Sequence, residues 1–139
     1  MKRQSALIAF LCSAALGLPF AASAQTTPTM SSEQYGTAKD EIDARYKADK
    51  QRCDALKDNA EDVCEEEAKA RQKVAEAELK HQRSGKAEDA RDLAEVRAET
   101  AYEVAKEKCD AQTGNAKDTC MADAKAAEAK AKADAAAKR

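Results

Sequence analysis

The chain has 139 residues, room for one domain at most; 36% are charged, 4% aromatic, none is tryptophan, and the formal net charge is −2. Beyond residue 24 the large aliphatic side chains are Ile42, Leu56, Val63, Val74, Leu79, Leu93, Val96 and Val104, too few for a thick globular core. The dominance of Ala, Glu and Lys points to long helices, and the absence of excess base speaks against a nucleic-acid partner, because such affinity rests on phosphate neutralisation by clustered Lys and Arg.

The first segment, 1–24, reads as a cleaved export signal. Lys2 and Arg3 form a basic start, Ala6 to Leu16 an apolar run, Pro19 a break, and Ala22-Ser23-Ala24 a small-x-small cleavage site before Gln25. A retained anchor is the competing reading, since no charge falls between Ala6 and Ala24. With cleavage, the expected location is the periplasm and no integral membrane segment remains. Residues 25–32, QTTPTMSS, form a polar tail.

Four helices are expected after the tail, at about 33–56, 60–82, 87–112 and 116–137. Gly114-Asn115-Ala-Lys-Asp118 reads as a helix stop followed by an Asn N-cap, and Asp58-Asn59-Ala-Glu-Asp62 as a weaker copy. Ser84-Gly85 marks the break between the middle helices. Acid-to-base pairs four apart support the helices: Glu41–Arg45, Asp43–Lys47, Glu65–Lys69, Glu67–Arg71, Glu76–Lys80 and Glu128–Lys132.

Cysteine spacing sets the architecture. Cys53/Cys64 and Cys109/Cys120 are both C-x10-C, and the second pair follows the first by 56 residues. At that offset the stretch from Tyr46 matches the stretch from Tyr102 at 12 of 25 positions, which predicts a tandem duplication. In one unbroken helix residues eleven apart lie about 16 Å apart along the axis, beyond the roughly 7 Å that a disulfide tolerates between Cα atoms. In a hairpin turning near Asn59 the two cysteines reach the same height on facing arms. An even cysteine count in an exported chain predicts oxidation, hence Cys53–Cys64 and Cys109–Cys120. The expected fold is all-α: two tandem disulfide-stapled antiparallel hairpins, 33–83 and 86–139, coiled-coil-like and able to join in a slender four-helix bundle.

The faces fit such hairpins. In line with Cys64 lie Ala60, Ala68, Arg71, Ala75 and Leu79, facing Ile42, Tyr46, Cys53 and Leu56; Arg71 and Asp49 interrupt this stripe as a potential pair. In line with Cys120 lie Ala116, Ala124, Ala127, Ala131 and Ala135, facing Ala98, Tyr102, Ala105 and Cys109. A second stripe, Leu93/Val96/Thr100/Val104, either packs on Val63/Ala70/Val74/Ala77 or forms an interaction seam for an envelope protein or a second copy.

Dedicated chemistry is sparse. Ten residues between cysteines is not a zinc-knuckle spacing, and neither pair is the C-x-x-C of thiol exchange. His81, the only histidine, reads as a solvated residue near the Ser84-Gly85 break. Glu61, Asp62, Glu65, Glu66 and Glu67 read as a solvated helix start, without the Gly-containing loop of a calcium site. There is no phosphate loop or nucleophile elbow, so no catalytic residue, cofactor or metal is expected.

A signal segment followed by two copies of a pattern best seen from Lys106 to Lys125 resembles small exported proteins of Gram-negative proteobacteria labelled TolA-like cell-envelope proteins; the Ala/Lys-rich end, AKAAEAKAKADAAAKR, is similar to a periplasmic helical stalk. The resemblance implies a non-enzymatic, structural, stress-protective or protein-binding role in the envelope. A cysteine-based metal or redox binder is the alternative.

Overall fold

The computed structural model describes residues 30–137. The expected signal and most of the polar tail lie outside the described residues. The first helix, α1 (Ser32–Cys53), starts from a capping box: Ser31 Oγ accepts from the Gln34 amide at 3.1 Å while Gln34 Oε1 accepts from the Ser31 amide at 2.9 Å. Ser32 therefore belongs to the helix and not to the tail. α1 ends at Cys53, earlier than the spacing suggested, which leaves Leu56 in the connecting turn and 41% exposed.

α2 (Asn59–Ser84) follows, then α3 (Ala87–Asp110) and α4 (Gly114–Ala137). Asn59 is the first helical residue of α2, so it is not the expected N-cap; Asp58 holds that place, with no side-chain capping bond. Likewise α4 already includes Gly114 and Asn115. The break at Ser84-Gly85 is as read: Gly85 takes the left-handed conformation (φ 63°) and its amide donates to the His81 carbonyl, closing α2.

Both expected disulfides are present. Cys53–Cys64 and Cys109–Cys120 join Cα atoms 5.4 and 5.6 Å apart, each across one hairpin turn. Each closes a loop short enough to contribute about 2–3 kcal/mol. Cys53 and Cys109 are wholly buried.

The helices stack in series, α1 on α2, α2 on α3 and α3 on α4. The two hairpins thus join through their inner helices, while α1 and α4 each pack on one neighbour among the described residues. The bundle is open. Its core is a line of mostly small side chains: Ala68 and Leu79 of α2, Leu93, Ala98 and Thr100 of α3, Ala124 and Ala135 of α4. Alanine at these positions lets neighbouring axes approach closely, but it buries little apolar area per residue.

Charged side chains add links between helices. Asp49 pairs with Arg71 at 2.9 Å, as the interruption of the stripe suggested, and Lys50 with Glu65 at 2.7 Å. Lys80 bridges Asp89 and Asp92 at 2.7 Å each, Lys108 reaches Glu67 at 2.7 Å, and Lys132 reaches Glu99 at 3.0 Å. Of the pairs expected within a helix, Glu67–Arg71 and Glu128–Lys132 form among the described residues. In three of the other four, one member turns to the adjacent helix: Asp43 accepts from Gln72, Glu65 from Lys50, and Lys80 serves α3. An exposed pair four apart is worth only a few tenths of a kcal/mol, so a cross-helix partner readily displaces it.

Candidate functional site

The inner pair, α2 and α3, presents two grooves, one on each side. Thr100 borders both, so it sits on the line between the two helices. Of the proposed seam, Leu93 and Thr100 are buried and Val96 and Val104 half-buried. Thr100 Oγ1 donates to the Val96 carbonyl at 2.7 Å, which satisfies the hydroxyl within its own helix. Val96 faces one groove and Val104 the other. The four residues therefore do not form one continuous exposed stripe. Two of them are interior, and the remaining two serve opposite surfaces.

The Val104 groove is the more apolar. Ala70 and Val74 of α2 and Ala101, Val104 and Ala105 of α3 line a cavity of about 500 Å³. Its rim carries Arg71, Glu78, Arg97 and Lys108, and these are tied into the Asp49–Arg71, Glu78–Arg97 and Glu67–Lys108 pairs.

The Val96 side is a wider, polar cleft of about 940 Å³ to which all four helices contribute, including Tyr35 of α1, Lys69 of α2, Tyr102 of α3 and Lys132 of α4. The Glu128 and then the Glu99 carboxylates raise Lys132 above the ordinary lysine value, and Glu66 does the same for Lys69. Both ammonium groups are thus held charged. At the mouth the Arg83 guanidinium lies 4.4 Å from the centre of the Tyr35 ring.

The acidic run at the start of α2 is divided among several neighbours. Glu65 meets Lys50, Glu66 meets Lys69 at 3.0 Å, and Glu67 meets Lys108 and Arg71. Asp54, in the turn, joins Glu61 and Glu65 so that one carboxylate oxygen from each lies within 4.8 Å of the others. Oxygen donors of this kind suit a hard cation, although Lys50 already supplies positive charge to Glu65. Asp54 was not singled out from sequence, because it lies outside the acidic run and only the turn brings it back. At the 56-residue offset Asp54 and Glu61 correspond to Asp110 and Lys117, and these two form an ion pair at 2.8 Å.

Two further positions differ from expectation or were missed. His81 is half-buried, with Nδ1 enclosed and unpartnered among the described residues, and so is not the solvated side chain the sequence suggested. Asn59 Nδ2 donates to the Glu107 carbonyl at 2.8 Å, fastening the first turn to the end of α3. Nothing in the local sequence distinguishes that amide from a cap; only the antiparallel placement of α2 against α3 reveals it.

At the α2–α3 junction Asp89 is buried, accepting from Ser84 Oγ and facing Lys80 Nζ. The Lys80 ammonium first, and the Ser84 hydroxyl second, hold the Asp89 carboxyl below the usual carboxylate range; Asp89 and then Asp92 raise Lys80 in return.

The four sulfurs are committed to one another in disulfides, a pairing that belongs to proteins folded outside a reducing cytosol. No helix among the described residues is long and apolar enough to cross a membrane. No family model, curated protein or solved structure matches the chain.

Proposed function

We propose that this chain is a non-enzymatic helical protein of the cell envelope, exported to the periplasm by its first 24 residues, with a structural, stress-protective or protein-binding role. The observation that carries the reading is the pair of stapled hairpins joined into an open array. That arrangement spreads nearly all of the described residues over extended helix surface, with an apolar groove at Val74 and Val104 on one side and a charged cleft on the other. A rigid array with two differing faces suits contact with other proteins better than it suits enclosing a small substrate.

The competing reading, a cysteine-based metal or redox binder, needs Cys53, Cys64, Cys109 and Cys120 as thiols. Mass spectrometry of protein taken from its native compartment, with free thiols blocked before digestion, separates the two. A chain beginning at Gln25 with both pairs oxidised supports the envelope reading, and four blocked thiols overturn it in favour of the metal or redox reading. Site-specific photocrosslinking from Val104 in intact cells tests the contact role. Discrete adducts that disappear with Val74→Asp support it, and a crosslinking pattern no different from that of a probe at exposed Lys125 refutes it.

A further inference from the structure

We propose that the two disulfides are redox latches: their reduction by a dithiol releases α1 and α4 from a persisting α2–α3 pair and bares the alanine-lined faces those outer helices cover. The inference goes beyond the envelope role above and stands whether or not that role is correct.

The four helices are unequally held. The only buried residue in α1 is Cys53 itself, and α4 buries only Ala124 and Ala135. Both outer seams are also incompletely filled. A groove of about 140 Å³ remains beside Ile42, Tyr46, Ala68 and Ala75 between α1 and α2. One of about 330 Å³ remains beside Ala98, Tyr102, Ala124 and Ala131 between α3 and α4. What else ties α1 down is mostly polar and partly exposed: Asp49–Arg71, Lys50–Glu65, the Gln72–Asp43 hydrogen bond and the Arg83–Tyr35 contact. For α4 the cross-helix links include Lys132–Glu99 and, at the turn, Lys117–Asp110. Exposed pairs of this type add little once screened.

The inner pair differs. It buries Leu79, Leu93 and Thr100, it holds the enclosed Asp89 cluster with Lys80 and Ser84, and Asn59 grips the Glu107 carbonyl. None of these contacts involves a disulfide sulfur. Opening each latch removes a short-loop constraint that favours the closed hairpin roughly a hundredfold. That factor is large beside the contacts left to an outer helix and does not act on the inner pair.

The sulfurs are also unequally reachable. Cys53 and Cys109 are wholly enclosed, whereas Cys64 and Cys120 are half-buried. A dithiol thiolate therefore attacks Sγ of Cys64, the S–S bond breaks, and Cys53 leaves as a thiolate that takes up a proton. The second thiol of the reductant then attacks the mixed disulfide and releases Cys64, so that two electrons and two protons reach the pair and the reductant departs as its cyclic disulfide. Cys120 and Cys109 react in the same sense.

Hydrogen exchange with mass spectrometry on the full chain, oxidised and then in excess dithiothreitol at neutral pH, tests the proposal. Amides in 36–50 and 118–134 should lose protection at least tenfold, while those in 70–80 and 93–105 keep most of theirs. Cys53→Ser/Cys64→Ser should release α1 alone, and Cys109→Ser/Cys120→Ser α4 alone. A brief pulse of glutathione followed by alkylation should leave glutathione on Cys64 and Cys120 and the alkyl group on Cys53 and Cys109. Unchanged protection on reduction overturns the latch, and so does uniform loss across all four helices, which would mean that the disulfides hold the whole fold.

Discussion

Replacing Asp58 by glycine should stabilise the oxidised protein, although it removes a charged side chain and touches no core residue. Asp58 sits at φ 54°, ψ −145°, a region that side chains with a Cβ seldom occupy and that costs about 1–3 kcal/mol to hold. The residue at the 56-residue offset is Gly114, which adopts φ 56° without that cost. Two terms oppose the gain. Glycine loses about 0.4–1 kcal/mol more backbone entropy on folding, and an acid near the start of α2 is worth about 0.3–1 kcal/mol to the helix dipole. The balance is a gain of about 1 kcal/mol, or about 4–8 °C in Tm for a domain of this size. Thermal unfolding followed by circular dichroism, with the disulfides intact, measures it. Asp58→Ala is the control, since it removes the charge and leaves the backbone strain. The reverse change, Gly114→Asp, should cost about 1–3 kcal/mol from the dihedral alone, because a Cβ there meets nothing within 4 Å. If Asp58→Gly and Asp58→Ala unfold together and Gly114→Asp is neutral, the strain argument fails.

Other changes test separate parts of the structure. His81→Leu should raise stability by about 1 kcal/mol in urea unfolding, since it removes an enclosed, unpaired ring nitrogen without removing bulk; a loss would show that Nδ1 has a partner in solution. Because the Asp89 carboxyl is held below its unfolded value, its contribution is fully present above that value and is lost as pH falls through the lower folded one. An acid titration of melting temperature should therefore fall below about pH 4, and Asp89→Asn should flatten that limb while lowering stability at neutral pH. Glu61→Lys, which recreates beside Asp54 the Lys117–Asp110 arrangement, should stabilise by at most about 1 kcal/mol and lose the gain in 1 M salt. An undiminished gain at high salt would assign the effect to something other than charge.

Much of the architecture was legible because it rested on a distance constraint. Cys53 and Cys64 cannot bond within one helix, so the spacing alone forced a turn, and Gly85 marked the next one by its conformational freedom. Arg71 and Asp49 were readable as a pair for a related reason: each broke an otherwise small, apolar stripe at matching height. The site was less legible. The stripe from Leu93 to Val104 has helical spacing, but spacing does not say which members the neighbouring helix covers, and the structure buries Leu93 and Thr100 while sending Val96 and Val104 to opposite grooves. Asp54 meets Glu61 and Glu65 only because the chain turns between them, and Asn59 meets Glu107 only because α2 lies against α3, and pattern matching along a single chain carries no such signal.

The serial stacking leaves one side of α1 and one side of α4 without a neighbouring helix among the described residues. A second chain added end to end would lay its α1 on the first chain's α4, repeating the junction of α3 on α2. At the 56-residue offset, however, Leu93, Val96, Thr100 and Val104 become Thr37, Asp40, Ala44 and Ala48, and Val63 and Val74 become Thr119 and Lys130. These positions are exposed, and they lack the branched aliphatic side chains of the internal junction. Head-to-tail contacts of this kind do not close on themselves and would grow into filaments. Threonine, aspartate and lysine at these positions supply none of the apolar area that joins the two hairpins inside one molecule, so the outer faces offer a second molecule little of what holds that junction.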